Sequence, residues 1–159
     1  MGLDGANQLL WRARLPRVND RERLQAICDW AADRGYHVEL DPAPHEADEV
    51  DPVTKVIVLS SAQTPRQRVY AALHEAGHIL GYEARDFLFS DAPHRITARM
   101  GPRSRLAVVE NELDAWRRGW RLAERLELGL SARGFEKEAS IWLMTYVRDA
   151  AGKKDLTGV

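Results

Sequence analysis

Apolar residues recur at three- and four-residue spacing in four stretches of the chain, which is the period of an amphipathic helix. A side chain that can cap a helix N-terminus precedes each stretch, as Ser131 does for the last one. Glycine stands where three of the helices should end, at Gly35, Gly81 and Gly129. The predicted helices cover about 20–34, 65–80, 104–128 and 132–151.

Two shorter stretches predict strands. Residues Tyr36 to Leu40 alternate between apolar and polar positions, and Lys55 to Leu59 is a β-branched run that should be well buried. The acidic segment from His45 to Asp51 reads as a solvated loop. The sequence therefore predicts a small α+β domain, with about four main helices on a sheet of two or three strands. The strand at 55–59 leads into the next helix and is a candidate for one wall of an active site.

That next helix carries His74-Glu75-Ala76-Gly77-His78, an H-E-x-x-H motif. Two histidines four residues apart lie on one face of a helix, so both imidazoles can bind one Zn²⁺. Glu75 is rotated by about 100° from His74, where its carboxylate can act as general base toward a water activated by the metal. The alternative is that both histidines are solvated or core residues of an ordinary helix and bind no metal. A capping box at Thr64 and Gln67 supports the helical context that the motif requires.

A catalytic zinc usually has three protein ligands, so one more is needed. The only cysteine, Cys28, falls on the apolar side of the first helix and is expected to be buried. Ala84 stands where a metzincin has its third histidine, which excludes that class. Neither His94 nor Asp86 belongs to a recognisable motif.

The best candidate for the third ligand is Glu110, on the helix after the loop. Asp114 is four residues further on and shares its face, so it can accept the free N–H of a ligating histidine. Glu112 is the alternative, but it lies about 200° around the helix from Glu110, so both cannot face one metal. If no metal binds, Glu110 and Asp114 simply belong to a charged, exposed face of the helix.

Composition limits the function classes. The chain has 159 residues, of which 45% are apolar and 30% charged, with a net charge of −1 and a pI near 6.5. We expect one domain over residues 1–151 and a frayed tail over 152–159. Near-neutral charge disfavours nucleic acid as a partner. No signal peptide and no span of 18 apolar residues is recognisable, so we expect a cytoplasmic protein without membrane insertion.

The segment from Tyr82 to Ser104 lacks periodicity and contains four arginines, which is typical of a substrate loop or simply of a solvated one. Four residues are candidates for stabilising an oxyanion if the site is hydrolytic: Tyr82, His94, Arg95 and Tyr146.

The order of these elements resembles the ImmA/IrrE-type zinc metallopeptidases, which are often encoded by phages and mobile elements. The resemblance rests on His74 to His78 and on the helix with Glu110, Glu112, Asp114, Ala115 and Trp116, and it covers roughly residues 36–128. It implies a minimal zincin fold and cleavage of a peptide bond, in some relatives within a transcriptional repressor. Where relatives continue with an apolar run and a proline, this chain has a basic stretch, residues 117–123.

The leading hypothesis is a zinc-dependent endopeptidase acting on an intracellular protein, with Zn²⁺ bound by His74, His78 and Glu110 and with Glu75 as general base. One alternative is a catalytically silent zincin scaffold that serves as a regulatory or virion-associated binding protein. Another is a structural zinc site, although such sites usually have four protein ligands that include cysteines.

Overall fold

A computed structural model of the chain describes residues 18–42, 48–84, 96–97 and 99–152. The described part contains four helices, α1 (Asp20–Ala32), α2 (Pro65–Ala84), α3 (Pro102–Arg125) and α4 (Ala132–Ala150). It also contains three strands, β1 (His37–Asp41), β2 (Glu49–Asp51) and β3 (Val56–Ser60). The predicted α+β class, with four helices and a short sheet, is confirmed. Nearly all of the predicted tail, 153–159, lies outside the described residues.

The sheet is mixed and has the order β1-β3-β2. The central strand β3 pairs with β1 in parallel, Ile57 opposite Val38, and with β2 in antiparallel, Ile57 opposite Val50. Strand β2 was predicted as an acidic loop. Three residues with one buried apolar side chain, Val50, are too short to show alternation, and only pairing with β3 makes them a strand.

Three helix starts follow the predicted capping chemistry. Asn19 and Glu22 each accept the other's backbone N–H, at 3.0 and 2.8 Å, which satisfies two donors at the start of α1. Thr64 and Gln67 do the same before α2, with N–H to oxygen distances of 3.0 and 3.3 Å. Helix α4 begins after Ser131, whose hydroxyl accepts the Gly134 N–H. Local sequence therefore decides where these helices begin.

Three predicted helix ends were wrong. Helix α2 continues past Gly81 to Ala84, because Gly81 does not take the positive φ that ends a helix. Helix α3 begins at Pro102, whose missing N–H suits the first turn, rather than at Ser104. It also ends at Arg125, and the turn that follows contains positive φ values at Glu127 and Gly129.

Helices α2 and α3 cross at a distance that only glycine permits. A Cβ atom on Gly77 would overlap the carbonyl oxygen of Ala115, and one on Gly119 would overlap the carbonyl oxygen of Leu73, each within the 3.0 Å that real Cβ atoms avoid. Residue 77 thus faces 115 while 73 faces 119, so the two helices run in opposite directions. Their backbones touch without side chains between them, which fixes their register closely.

The core lies between the sheet, α1, α2 and α3, and α4 covers one side of it. Phe135 of α4 packs its ring against Trp116, Trp120 and Tyr70, with centroid distances of 5.2 to 5.8 Å. The largest fully buried side chains are all aliphatic: Ile27, Ile57, Leu59, Leu73, Ile79, Leu122, Leu128, Val69 and Val108.

Cys28 is only half-buried, in contrast to the buried thiol expected from its position. Burial nevertheless raises the pKa of this thiol.

No helix in the described ranges is long and apolar enough to cross a membrane. Of the arginine-containing segment, residues 85–95 and 98 lie outside the described part of the chain.

Candidate metal centre

The two histidines of the motif lie side by side on α2, as predicted. Their Nε2 atoms are 3.2 Å apart, and their rings are inclined by 78° with centroids 4.6 Å apart. Their side chains are only 12% and 10% exposed. The four-residue spacing therefore brings both ring nitrogens to one buried point.

The third group at this point is Glu112 from α3. Its Oε2 atom lies 3.0 Å from His74 Nε2, and its Oε1 atom lies 3.6 Å from His78 Nε2. The residue is 2% exposed. His74, His78 and Glu112, called here the histidine–glutamate cluster, each offer a ligand atom within 4.8 Å of the others, so they can hold a metal ion.

The distances within the cluster suit a tetrahedral ion. Ligand atoms bound at about 2.0 to 2.1 Å from such an ion are about 3.3 to 3.4 Å apart. The separations from His74 Nε2 to His78 Nε2 and to Glu112 are 3.2 and 3.0 Å, and that from His78 Nε2 to Glu112 is 3.6 Å. The three values lie on both sides of the tetrahedral one, so the donor set fits a bound ion.

Hydrogen bonding within the protein leaves two atoms of this cluster unsatisfied. Glu112 Oε2 and His74 Nδ1 are buried and have no hydrogen-bond partner, although Oε2 is close to His74 Nε2. A buried polar atom without a partner costs about 1 to 3 kcal/mol. An ion that binds the carboxylate would remove one of these costs.

The structure places Glu112 rather than Glu110 at the histidines, which corrects the predicted third ligand. Glu110 is exposed, since two residues along a helix turn the side chain by about 200°. The buried positions with contacts to α2 follow a three- and four-residue spacing: Glu112, Ala115 and Gly119. The small residues Ala115 and Gly119 share the face of Glu112, and this was the signal in the sequence that the prediction missed.

Asp114, predicted to accept an N–H from a ligating histidine, accepts a hydrogen bond from Arg118 Nε. Because His74 Nδ1 has no partner, such a bond does not come from His74. The charge of Asp114 is one of the causes that raise the pKa of His78. An orienting role toward His78 stays a prediction.

Glu75 lies beside the cluster and is 3% exposed. Burial raises the pKa of its carboxyl, an effect that the nearby imidazoles of His74 and His78 partly offset. A carboxylate with a raised pKa is a better proton acceptor near neutral pH. Its position and its environment therefore suit the predicted role of general base.

The charges in the cluster are coupled. Burial raises the pKa of Glu112, but its contacts with the two imidazoles outweigh this and bring the pKa to about 2. For His78, burial lowers the pKa, and the contact with Glu112 outweighs it, so that the pKa is raised. Glu112 is thus a carboxylate, the form that binds cations.

Trp116 on α3 packs against the imidazole ring of His74. The two rings stack with centroids 4.5 Å apart and planes inclined by 28°, and Trp116 is 4% exposed. Stacking against a buried indole limits the orientations open to the imidazole. The sequence pattern did not predict this contact between Trp116 and His74.

A cavity of about 130 Å³ opens onto the cluster. Strand β2 contributes Glu49 and Val50 to its wall, and α4 contributes Trp142 and Tyr146. The strand at the site is therefore β2, the short strand that the sequence did not reveal. The predicted strand β3 lies one place further into the sheet and is not among the residues that line the cavity.

Of the candidates for oxyanion stabilisation, only Tyr146 lines this cavity among the described residues. Tyr82 does not line it, but burial, followed by the charge of Glu75, raises the pKa of Tyr82 to about 12. His94 and Arg95 lie outside the described residues, as does Asp86, which had been considered as a ligand.

Comparison of the chain with protein-family models, with curated proteins and with solved structures gives no match. Function is therefore inferred from the site. Its distinguishing property is that two helices bring three metal-binding side chains together around one point, with a buried acid next to them.

Proposed function

We propose that the protein is a zinc-dependent endopeptidase that hydrolyses peptide bonds in protein substrates. The observation that carries this proposal is the convergence of His74, His78 and Glu112 at tetrahedral ligand spacing, with Glu75 buried beside them. Two histidines, one glutamate and one further position form the ligand set of several zinc peptidases. The proposal keeps the resemblance to the ImmA/IrrE-type peptidases, with Glu112 in place of Glu110.

Zinc suits these donors better than the other common divalent ions. Imidazole nitrogens favour zinc and its transition-metal neighbours, whereas magnesium and calcium prefer oxygen ligands. Three protein ligands leave one position for water or substrate, which distinguishes a catalytic from a structural site. When bound, zinc would supply Lewis-acid activation of the attacking water and of the scissile carbonyl.

Glu75 would move the proton in this reaction. Water attacks the carbonyl carbon, and Glu75 accepts the proton that the water loses. The same carboxyl then donates that proton to the leaving amine as the C–N bond breaks. Burial supports both steps, since a carboxyl with a raised pKa can gain and lose a proton near neutral pH.

Strand β2 supports a polypeptide as the substrate. Within the described residues it pairs on one side only, with β3, and it lines the cavity next to the cluster. An extended peptide can add to a sheet edge through backbone hydrogen bonds. A peptide placed along β2 would pass the cluster, so that its carbonyl groups come near His74 and His78.

The proposal is tested with Glu75→Gln, which keeps the size of the side chain and removes its basicity. We expect the variant to bind one equivalent of zinc, as the wild type does, and to cleave a denatured protein or peptide library at least 1,000-fold more slowly, roughly the loss expected when a general base is removed. Zinc content is measured by elemental analysis and cleavage by mass spectrometry of new termini.

Cleavage by Glu75→Gln at the wild-type rate would contradict the proposed chemistry. A wild type that binds zinc and cleaves none of the library would instead favour the catalytically silent binding protein. Glu110→Gln is the matched control, because this carboxylate is exposed on α3 and does not line the cavity. It should retain both zinc and most of the activity.

A further inference from the structure

The wall of the cavity formed by α4 is aromatic. Trp142 and Tyr146 are four residues apart and lie on the same face of the helix, toward the cluster. Trp142 is nevertheless 43% exposed. A large apolar ring that borders a metal-site cavity and keeps much of its surface in water can bury that surface against a ligand.

The position of Trp142 is fixed by its own helix. Its indole Nε1 donates to Glu138 Oε1 at 3.3 Å, one turn earlier on α4. The polar atom of the ring is therefore engaged along the helix, and the rest of the ring can offer apolar contact.

Two further residues add apolar surface to the cavity. Val50 of β2 and Ala71 of α2 are each 9% exposed and line it. The volume is about 130 Å³, and an apolar cavity of about 150 Å³ takes one benzene molecule. The space can therefore take one side chain up to about the size of leucine or phenylalanine.

Charge around the cavity disfavours an acidic occupant. Four carboxylates line it, and no lysine or arginine does among the described residues that line it. A divalent ion would balance the charges of Glu75 and Glu112. The remaining acids, Asp48 and Glu49, would repel a negatively charged side chain.

We propose that this cavity is a specificity subsite for one leucine- or phenylalanine-sized side chain of a peptide bound at the histidine–glutamate cluster, and that Trp142 is its main determinant. The inference rests on the proposed function for the nature of the ligand. It adds the class of residue that the site selects and the side chain that selects it.

The test measures binding, so it does not depend on cleavage. Short peptide hydroxamates, whose head group binds zinc, are prepared with alanine, leucine, phenylalanine or aspartate next to the head group. Their Kd values are measured by calorimetry on the zinc-loaded protein. Each buried methylene strengthens binding by roughly fourfold, so we expect the leucine and phenylalanine compounds to bind at least about tenfold more tightly than the alanine compound. The aspartate compound should bind most weakly.

Three variants identify the determinant. Trp142→Ala should reduce the preference for leucine over alanine to about threefold or less, and Trp142→Phe should keep most of it, because an aromatic ring remains. Ile141→Ala is the matched control, since this neighbouring residue is 55% exposed and does not line the cavity. It should leave the preference unchanged.

Equal Kd values for the leucine and alanine compounds would overturn the subsite, and so would a preference that survives Trp142→Ala or a failure of all four compounds to bind. These outcomes would leave the proposed function intact if the wild type still cleaves peptides in a Glu75-dependent way. A preference that depends on Trp142 in a protein without peptidase activity would support the subsite and overturn the proposed function.

Discussion

Two clusters of charged side chains each join two helices, and they differ in how their polar atoms are satisfied. The histidine–glutamate cluster lies between α2 and α3, and a second cluster, Asp20, Arg23 and Arg66, joins α1 to the start of α2. This second group is called the arginine cluster. Both clusters contain a charged residue that is at most 9% exposed, Glu112 in the first and Arg23 in the second.

The arginine cluster is satisfied by protein atoms alone. Arg23 donates to the Leu128 carbonyl at 2.7 Å, to Asp20 at 2.6 Å and to the Gly129 carbonyl at 3.3 Å. Arg66 Nε donates to both oxygens of Asp20, at 2.8 and 2.9 Å. Burial raises the pKa of Asp20, but the hydrogen bonds from Arg66 and Arg23 outweigh it and lower the pKa. Every close contact in this cluster joins a donor to an acceptor.

The histidine–glutamate cluster differs because its close contacts bring potential metal ligands together. Two imidazole nitrogens and a carboxylate converge, and Glu112 Oε2 stays without a hydrogen-bond partner. A buried charge whose hydrogen bonds are all made within the protein needs no ligand to explain it. A buried carboxylate oxygen without a partner can be satisfied by a bound cation. This difference, rather than burial or charge alone, separates the candidate metal centre from a structural ion pair.

The largest expected effect concerns zinc and Glu112. Zinc that binds only the folded protein should stabilise the wild type by about 4 kcal/mol when its free concentration is a thousandfold above Kd. Glu112→Ala should lose most of this gain, since it removes one of three ligands. Stability is measured by denaturant unfolding with zinc and with a chelator.

Glu110→Ala is the matched control for Glu112→Ala, because it removes an exposed glutamate from the same helix. It should keep the full stabilisation by zinc. If Glu110→Ala loses it and Glu112→Ala keeps it, the third ligand is Glu110, and the comparison between the two clusters fails.

The next effect concerns the helix contact behind the cluster. Gly77→Ala places a methyl group against the backbone of Ala115, so α2 and α3 must move apart. We expect a loss of roughly 3 kcal/mol in the free energy of unfolding, at the upper end for overpacking, and weaker zinc binding because His74 and His78 move away from Glu112. Urea unfolding and a zinc titration measure the two effects.

Gly101→Ala is the comparison for this substitution. No atom lies within 4 Å of the position its Cβ would take, and Gly101 only precedes α3. It should cost about 1 kcal/mol or less, from a poorer helix N-cap, and leave zinc binding unchanged. Equal losses for the two glycine variants would show that close approach at Gly77 is not what positions the cluster.

The smallest effect tests the arginine cluster. Arg23→Met puts an apolar side chain of similar length in place of the guanidinium. The Asp20 carboxylate and the Leu128 carbonyl each lose one hydrogen-bond donor. We expect a loss of about 2 kcal/mol in the free energy of unfolding, and the same gain on adding zinc as in the wild type. Exposed Arg21→Met should change the stability by no more than about 0.5 kcal/mol. A reduced zinc gain in Arg23→Met would mean that the two clusters are coupled.

The sequence by itself determined that four helices form, where three of them begin, and half of the candidate site. Capping residues such as Asn19 and Thr64 act within three residues of their partners, so their effect is visible without a fold. The spacing of His74 and His78 is likewise a local property of one helix. The α+β class followed from the same periodicities.

Only the tertiary structure decided which glutamate completes the cluster and which strand borders the cavity. Glu110 and Glu112 lie on the same helix and differ by about 200° in direction, so the choice depends on which face of α3 meets α2. Gly77 and Gly119 set that face by allowing backbone contact between residues distant in sequence. Strand β2 is likewise defined by its pairing with β3, because a three-residue segment has no periodicity of its own to reveal it.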